Sequence, residues 1–141
     1  MFKKIFIASD HAGFQLKDNI LKKINNFQIK DLGTDSEEKV DYPDFAFKLV
    51  SEVNISNKNG GILICGSGNG MAIAANRFKN IRAGLAFNPE IAKLLRQHNN
   101  ANILTLAGRQ IDLDEAKNCF KIFINTSFEG GRHQKRVEKI D

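Results

Sequence analysis

The chain lacks any apolar run long enough to span a bilayer, so nothing in its 141 residues points to membrane insertion. It is poor in cysteine. Cys65 and Cys119 lie in unlike settings without metal-ligand spacing, which argues against a disulfide framework and for a reducing cytosol. With two prolines and eleven glycines, it is also short of the residues that mark disordered or fibrous chains. A secretory leader is not expected either: the apolar opening Ile5-Phe6-Ile7-Ala8 stops at Ser9-Asp10-His11 and reads as a first strand. The net charge of +5 comes without an RNA- or DNA-binding motif, and the lysines are scattered, as on a solvated surface. Nucleic acid is therefore a poor partner for this chain, and a cytoplasmic location is expected.

What is present is the composition of a globular protein, 42% hydrophobic and 26% charged, long enough for one domain over residues 1–141. Five short β-branched or apolar runs read as strands: Lys4–Ala8, Gln28–Asp31, Gly61–Cys65, Ile81–Ala86 and Asn102–Leu106. Between them the apolar residues take helical spacing, as in Leu16, Ile20, Leu21 and Ile24, in Phe45, Leu49 and Val53, in Ile91, Leu94 and Leu95, and in Ala116, Cys119, Phe120 and Phe123. Pro43 and Pro89 each follow a polar cap and mark helix entries. The alternation predicts an α/β fold, a three-layer Rossmann-like sandwich whose mostly parallel five-stranded sheet is flanked by helices, with a C-terminal helical extension.

Ligands of such sheets collect at the carboxyl ends of the strands. Two peptides there carry chemistry, Ser9-Asp10-His11-Ala12-Gly13 after the first strand and Cys65-Gly66-Ser67-Gly68-Asn69-Gly70 after the third. Alternating glycines before the helix of Met71–Ala75 open main-chain N–H groups to an anion, although a tight structural turn explains them equally well. The spacing G-x-G-x-G departs from the dinucleotide pattern, and Asn88 stands where a ribose-binding acid is wanted. Cys65 beside that helix start is a place that favours a thiolate base, whereas an inert core cysteine is the plain alternative, and Cys119 on an apolar helix stripe fits that alternative. Asp10 and His11 read as a cap and a surface histidine unless the cysteine loop faces them. His98 near a helix end complements the helix dipole, and Arg132 and Arg136, four apart, either hold a phosphate from one helical face or form a solvated basic tail.

Six motifs in order resolve these ambiguities. Ile7-Ala8-Ser9-Asp10-His11-Ala12-Gly13, Val40-Asp41-Tyr42-Pro43-Asp44, Ile64-Cys65-Gly66-Ser67-Gly68-Asn69-Gly70-Met71, Ala74-Ala75-Asn76, Arg96-Gln97-His98-Asn99-Asn100-Ala101-Asn102 and Phe128-Glu129-Gly130-Gly131-Arg132-His133 closely resemble the B-type ribose-5-phosphate isomerases and their hexose-phosphate relatives, over the whole chain. The resemblance implies a metal-free, cofactor-free proton transfer between adjacent sugar carbons through an enediolate, with Cys65 as base and Ser67 supporting it. It implies that the N–H groups of Gly66 through Gly70, Gly68 and Asn69 among them, shelter the enediolate oxygen. It further implies that His98 opens the furanose ring with Asp10 assisting, that Asn99 holds sugar hydroxyls, that Tyr42 lines the pocket, and that His11, Arg109, Arg132 and Arg136 surround the phosphate.

Two departures from the family pattern are visible. Ser67 replaces the threonine of many cysteine-type members, and Asn69 is similar to the branch that uses a glutamate after the loop, where this chain has Met71. Glutamate is thereby excluded as base. His98 falls where a helix ends and a strand begins, at the amino edge of the sheet opposite Cys65. It is therefore expected to reach the site from a second subunit of a homodimer, or of a dimer of such dimers. A hexose phosphate such as allose or galactose 6-phosphate is the rival substrate, and a sugar-phosphate-binding protein without catalysis is the rival class.

Overall fold

The computed structural model describes residues 1–24 and 27–140. Five strands, β1 (Lys4–Ser9), β2 (Ile29–Asp31), β3 (Asn59–Cys65), β4 (Ala83–Leu85) and β5 (Ile103–Ala107), pair in the order β2-β1-β3-β5-β4, every pair parallel. The central strands β1, β3 and β5 are mostly apolar and, past their first residues, buried, because helices cover them on both faces. The helices are α1 (Phe14–Lys23), α2 (Tyr42–Asn54), α3 (Asn69–Ala75), α4 (Pro89–Asn99) and α5 (Leu113–Asn125), with a 3₁₀ turn at Gly131–His133 running into α6 (Gln134–Val137). The three-layer α/β reading of the sequence holds.

Side chains divide by strand alternation. Ile5, Ile7, Ile62, Ile64, Leu104 and Leu106 face Leu16 and Ile20 of α1, Ala92 of α4 and Phe120 and Phe123 of α5. Phe6, Ala8, Leu63, Cys65 and Ile103 face Ala46, Leu49 and Val53 of α2 and Met71 and Ala75 of α3. Both proline-marked helix entries are real. Pro43 opens α2 behind Asp41, and Pro89 opens α4 behind Asn88, whose side chain accepts the Ile91 N–H at 2.9 Å.

One lysine departs from the solvated-surface expectation. Lys17 is 1% exposed, and its ammonium donates to both carboxylate oxygens of Asp31 (2.6 and 2.7 Å) and to the Thr34 carbonyl (2.6 Å). It closes the edge where β2 runs into the segment before α2. Among the described residues no helix is long and apolar enough to cross a membrane.

The chain leaves β1 toward β2 on one side and returns to β3 on the other, so the strand order reverses between β1 and β3. Loops leaving the two strands diverge to opposite faces and open a crevice at their carboxyl ends.

Candidate active site

That crevice is a cavity of about 380 Å³ lined by Asp10, His11, Ala12, Tyr42, Cys65, Gly66, Ser67, Gly70, Arg109 and Gln110. Each wall has a local cause. Gly13 presses so closely on the Ile64 carbonyl that a Cβ has no room, and this lets the loop after β1 fold back over β3. Asp10 donates its N–H to that same carbonyl at 3.1 Å, while its Oδ1 accepts the Gly13 N–H at 3.0 Å and so orients the carboxylate at the start of α1. His11 Nδ1 meets the Val40 carbonyl and N–H at 3.2 and 3.3 Å, which ties the loop before α2 to the crevice and leaves the other ring nitrogen for a ligand.

Cys65 ends β3, 5% exposed yet lining the cavity, and the Gly68 N–H donates to its Sγ at 3.2 Å. Gly68 takes φ +76°, which turns the chain into α3 and aims that N–H back at the sulfur. The Asn69 N–H donates to Ser67 Oγ at 3.3 Å. The loop after β5 is bound to the glycine loop through Gly108 N–H to Cys65 O (2.8 Å) and Arg109 N–H to Gly66 O (3.0 Å). Arg109 is thereby laid along the cavity, close enough for a Cβ on Gly66 to come within 3.2 Å of its Nη1. Sulfur, carboxylate, imidazole, guanidinium and main-chain donors share one small space, a set able to hold an anionic sugar and move a proton.

The remaining candidates lie elsewhere in the chain. His98 and Asn99 end α4, and Asn99 lines a different hollow with Asn76, Leu95 and Ile140. Arg132 sits in the 3₁₀ turn and Arg136 in α6, so the single helical face expected from their spacing is a tighter turn followed by one α-turn. None of these four lines the Cys65 cavity. His98 instead stacks on His133, ring centroids 4.2 Å apart and planes within 13°, with Glu129 Oε2 4.0 Å from His98 Nε2 and 3.8 Å from His133 Nε2. Ligating atoms of these three residues lie within 4.8 Å of one another. The sequence reading gave no role to Ala12, Gln110, Glu129 or His133. Ala12, Glu129 and His133 stood inside family motifs and Gln110 beside Arg109, which was the only signal they carried.

Cys119 is packing, as its helix stripe indicated. It is fully buried in α5, and burial pushes its thiol up to about 11.

A sequence profile described as Ribose/Galactose Isomerase matches residues 5–140. The chain belongs to this isomerase family. Among ribose/galactose isomerase relatives, the Ribose-5-phosphate isomerase B of Escherichia coli K12 is 43% identical over 140 residues, covering 98% of this chain and 94% of the relative. A crystal structure of a ribose 5-phosphate isomerase from Thermotoga maritima superposes with a TM-score of 0.96 at 48% identity, over 100% of this chain and 99% of that one. The Ribose-5-phosphate Isomerase B of Mycoplasma genitalium, whose structure carries bound ribulose-5-phosphate, superposes with a TM-score of 0.91 at 45% identity, over 97% and 94% of the two chains.

Proposed function

We propose that this isomerase interconverts ribose 5-phosphate and ribulose 5-phosphate in the cytoplasm, as a single domain that works in a homodimer. The reading is carried by Cys65, which lines the small cavity between β1 and β3 while its sulfur accepts the Gly68 N–H. The Mycoplasma genitalium relative, 45% identical, supports the substrate with its bound ribulose-5-phosphate.

In this mechanism the Cys65 thiolate removes the proton on C2 of the open aldose, electrons move into the C1 carbonyl, and the enediolate oxygen is sheltered by N–H groups of the Gly66–Gly70 loop. The C2 hydroxyl proton passes to O1, and the thiol returns its own proton to C1 as the C2 oxygen becomes the ketone. Ser67 supports the loop through the Asn69 N–H. Asp10, whose carboxylate is aimed by the Gly13 N–H, accepts a sugar hydroxyl proton during ring opening. His11 and Arg109 meet the phosphate, and Tyr42 closes the side of the pocket away from β5.

His98, Asn99, Arg132 and Arg136 come from a second copy of the chain. His98 ends α4 immediately before β5 begins, whereas Cys65 stands where β3 ends, and all strands are parallel. The two residues therefore belong to opposite edges of one sheet. A two-fold pairing that lays the α4 end of one copy over the cysteine crevice of the other completes two identical sites. His98 then protonates the ring oxygen, and Asn99 and the two arginines hold hydroxyls and phosphate.

The test is a coupled assay of ribose 5-phosphate beside allose 6-phosphate and galactose 6-phosphate, run on the wild type and on Cys65→Ala, with mixed dimers of Cys65→Ala and His98→Gln chains. Turnover of the pentose phosphate, a loss of about a thousandfold or more in Cys65→Ala, and recovery of activity in the mixture support the proposal. Turnover of hexose phosphate alone overturns the substrate. Full activity in Cys65→Ala overturns the base, and a mixture as inactive as its parents overturns the shared site.

A further inference from the structure

Near the end of α4 the chain builds a cluster in which the mechanism above uses His98 and Arg132 but neither His133 nor Glu129. The buried ring of His133 lies flat against the half-exposed ring of His98. Glu129 presents one oxygen to both Nε2 atoms, and its N–H donates to the Gln97 carbonyl at 3.1 Å, so the carboxylate is anchored beside His98 itself. Arg132 Nε donates to His133 Nε2 at 3.4 Å.

We propose that His133 and Glu129 are positioning residues for His98: the His133 ring sets the plane of the His98 imidazole, and the shared carboxylate faces the Nε2 edge of both rings. The inference rests on the reading that His98 serves ring opening.

The argument begins with the Arg132 contact. A guanidinium N–H can donate to Nε2 of His133 only if that nitrogen carries a lone pair, which makes His133 the neutral ring. Two imidazolium rings face to face repel each other, so a second proton is disfavoured. The charged groups around His133 act in the same sense. Burial pushes it below the ordinary histidine range, and His98, Arg132 and Arg136 push it further down, with only Glu129 opposing. Since the rings are stacked, His98 cannot tilt without losing contact with a buried neighbour.

The same three residues are poorly suited to sharing a metal ion. An imidazole ligates along its own plane, and two planes within 13° of parallel do not converge on one ion.

The chain holds three histidines, His11, His98 and His133, so each is assignable in a ring-labelled NMR titration by single substitution. In the wild type His133 titrates below the ordinary histidine midpoint, and in His98→Gln its midpoint rises, because the facing imidazole that pushes it down is gone. In turnover, His133→Ala lowers kcat about tenfold with KM little changed, since orientation and not binding is lost. His133→Phe restores a flat ring and loses less. A His133 midpoint indifferent to His98→Gln, or equal kcat in the two His133 variants, overturns the inference. The titration reads the pair with no substrate present, so it decides the matter even if the pentose assay fails.

Discussion

The ring of Tyr42 occupies the space that a side chain on Gly70 would take: a Cβ built there comes within 2.6 Å of Tyr42 Cζ. One wall of the cavity therefore depends on the absence of an atom in the opposite wall.

Gly70→Ala is expected to push Tyr42 outward and raise KM for the sugar phosphate by about tenfold, with little change in melting temperature, since Tyr42 is 39% exposed and free to move. The double variant Gly70→Ala, Tyr42→Ala removes the collision. If the single variant keeps its KM, Tyr42 does not shape the pocket.

Alkylation separates the two cysteines. Iodoacetamide under native conditions adds one label, at Cys65, which lines the cavity, and none at Cys119, which is fully buried with its thiol pushed up to about 11. Bound sugar phosphate slows the labelling. Peptide mass mapping checks this, and a first label on Cys119 contradicts it.

Lys17 and Asp31 are an unequal pair, because the lysine is 1% exposed and the carboxylate 43%. Asp31→Ala leaves a buried ammonium with the Thr34 carbonyl as hydrogen-bond acceptor and the Phe14 ring beside it, and is expected to cost about 3 kcal/mol. Lys17→Met leaves a carboxylate that water already reaches, and costs less. Denaturant midpoints of the two variants give the order directly.

The buried His133 also makes stability depend on pH. Its folded-state value lies below the ordinary 6.5, so between the two values the unfolded chain binds more protons than the folded one. This contribution is complete above pH 6.5 and is lost as pH falls toward the folded value. Melting temperature measured from pH 7.5 to 5 should drop more for the wild type than for His133→Phe, which has nothing to protonate there; parallel curves would remove His133 as the cause.

Much of this molecule was legible in one dimension because its signals are local. Pro43 and Pro89 behind polar caps marked two helix starts, and the apolar run Ile62-Leu63-Ile64 read as a strand, which the structure covers on both faces. The crevice followed from topology, since residues after β1 and β3 in a parallel sheet must meet at the same edge. What escaped depends on contacts between distant segments. Lys17 looks like one more surface lysine until β2 brings Asp31 to it. His133 has no periodicity to announce it, and its burial comes from α4, more than thirty residues earlier. Arg132 and Arg136 have the spacing of one helix, but Gly130 and Gly131, both at positive φ, begin a tighter turn that holds Arg132, and α6 with Arg136 starts only at Gln134.

The two main-chain bonds that fasten the loop after β5 to the loop after β3 weld sulfur, amides and guanidinium into one stiff floor. The opposite bank is hung more lightly, from an imidazole contact to Val40 and an aromatic ring at the head of α2. A descendant that came to accept a bulkier sugar would therefore gain its room by drift in residues 35–42, leaving the chemistry untouched while the guest changed.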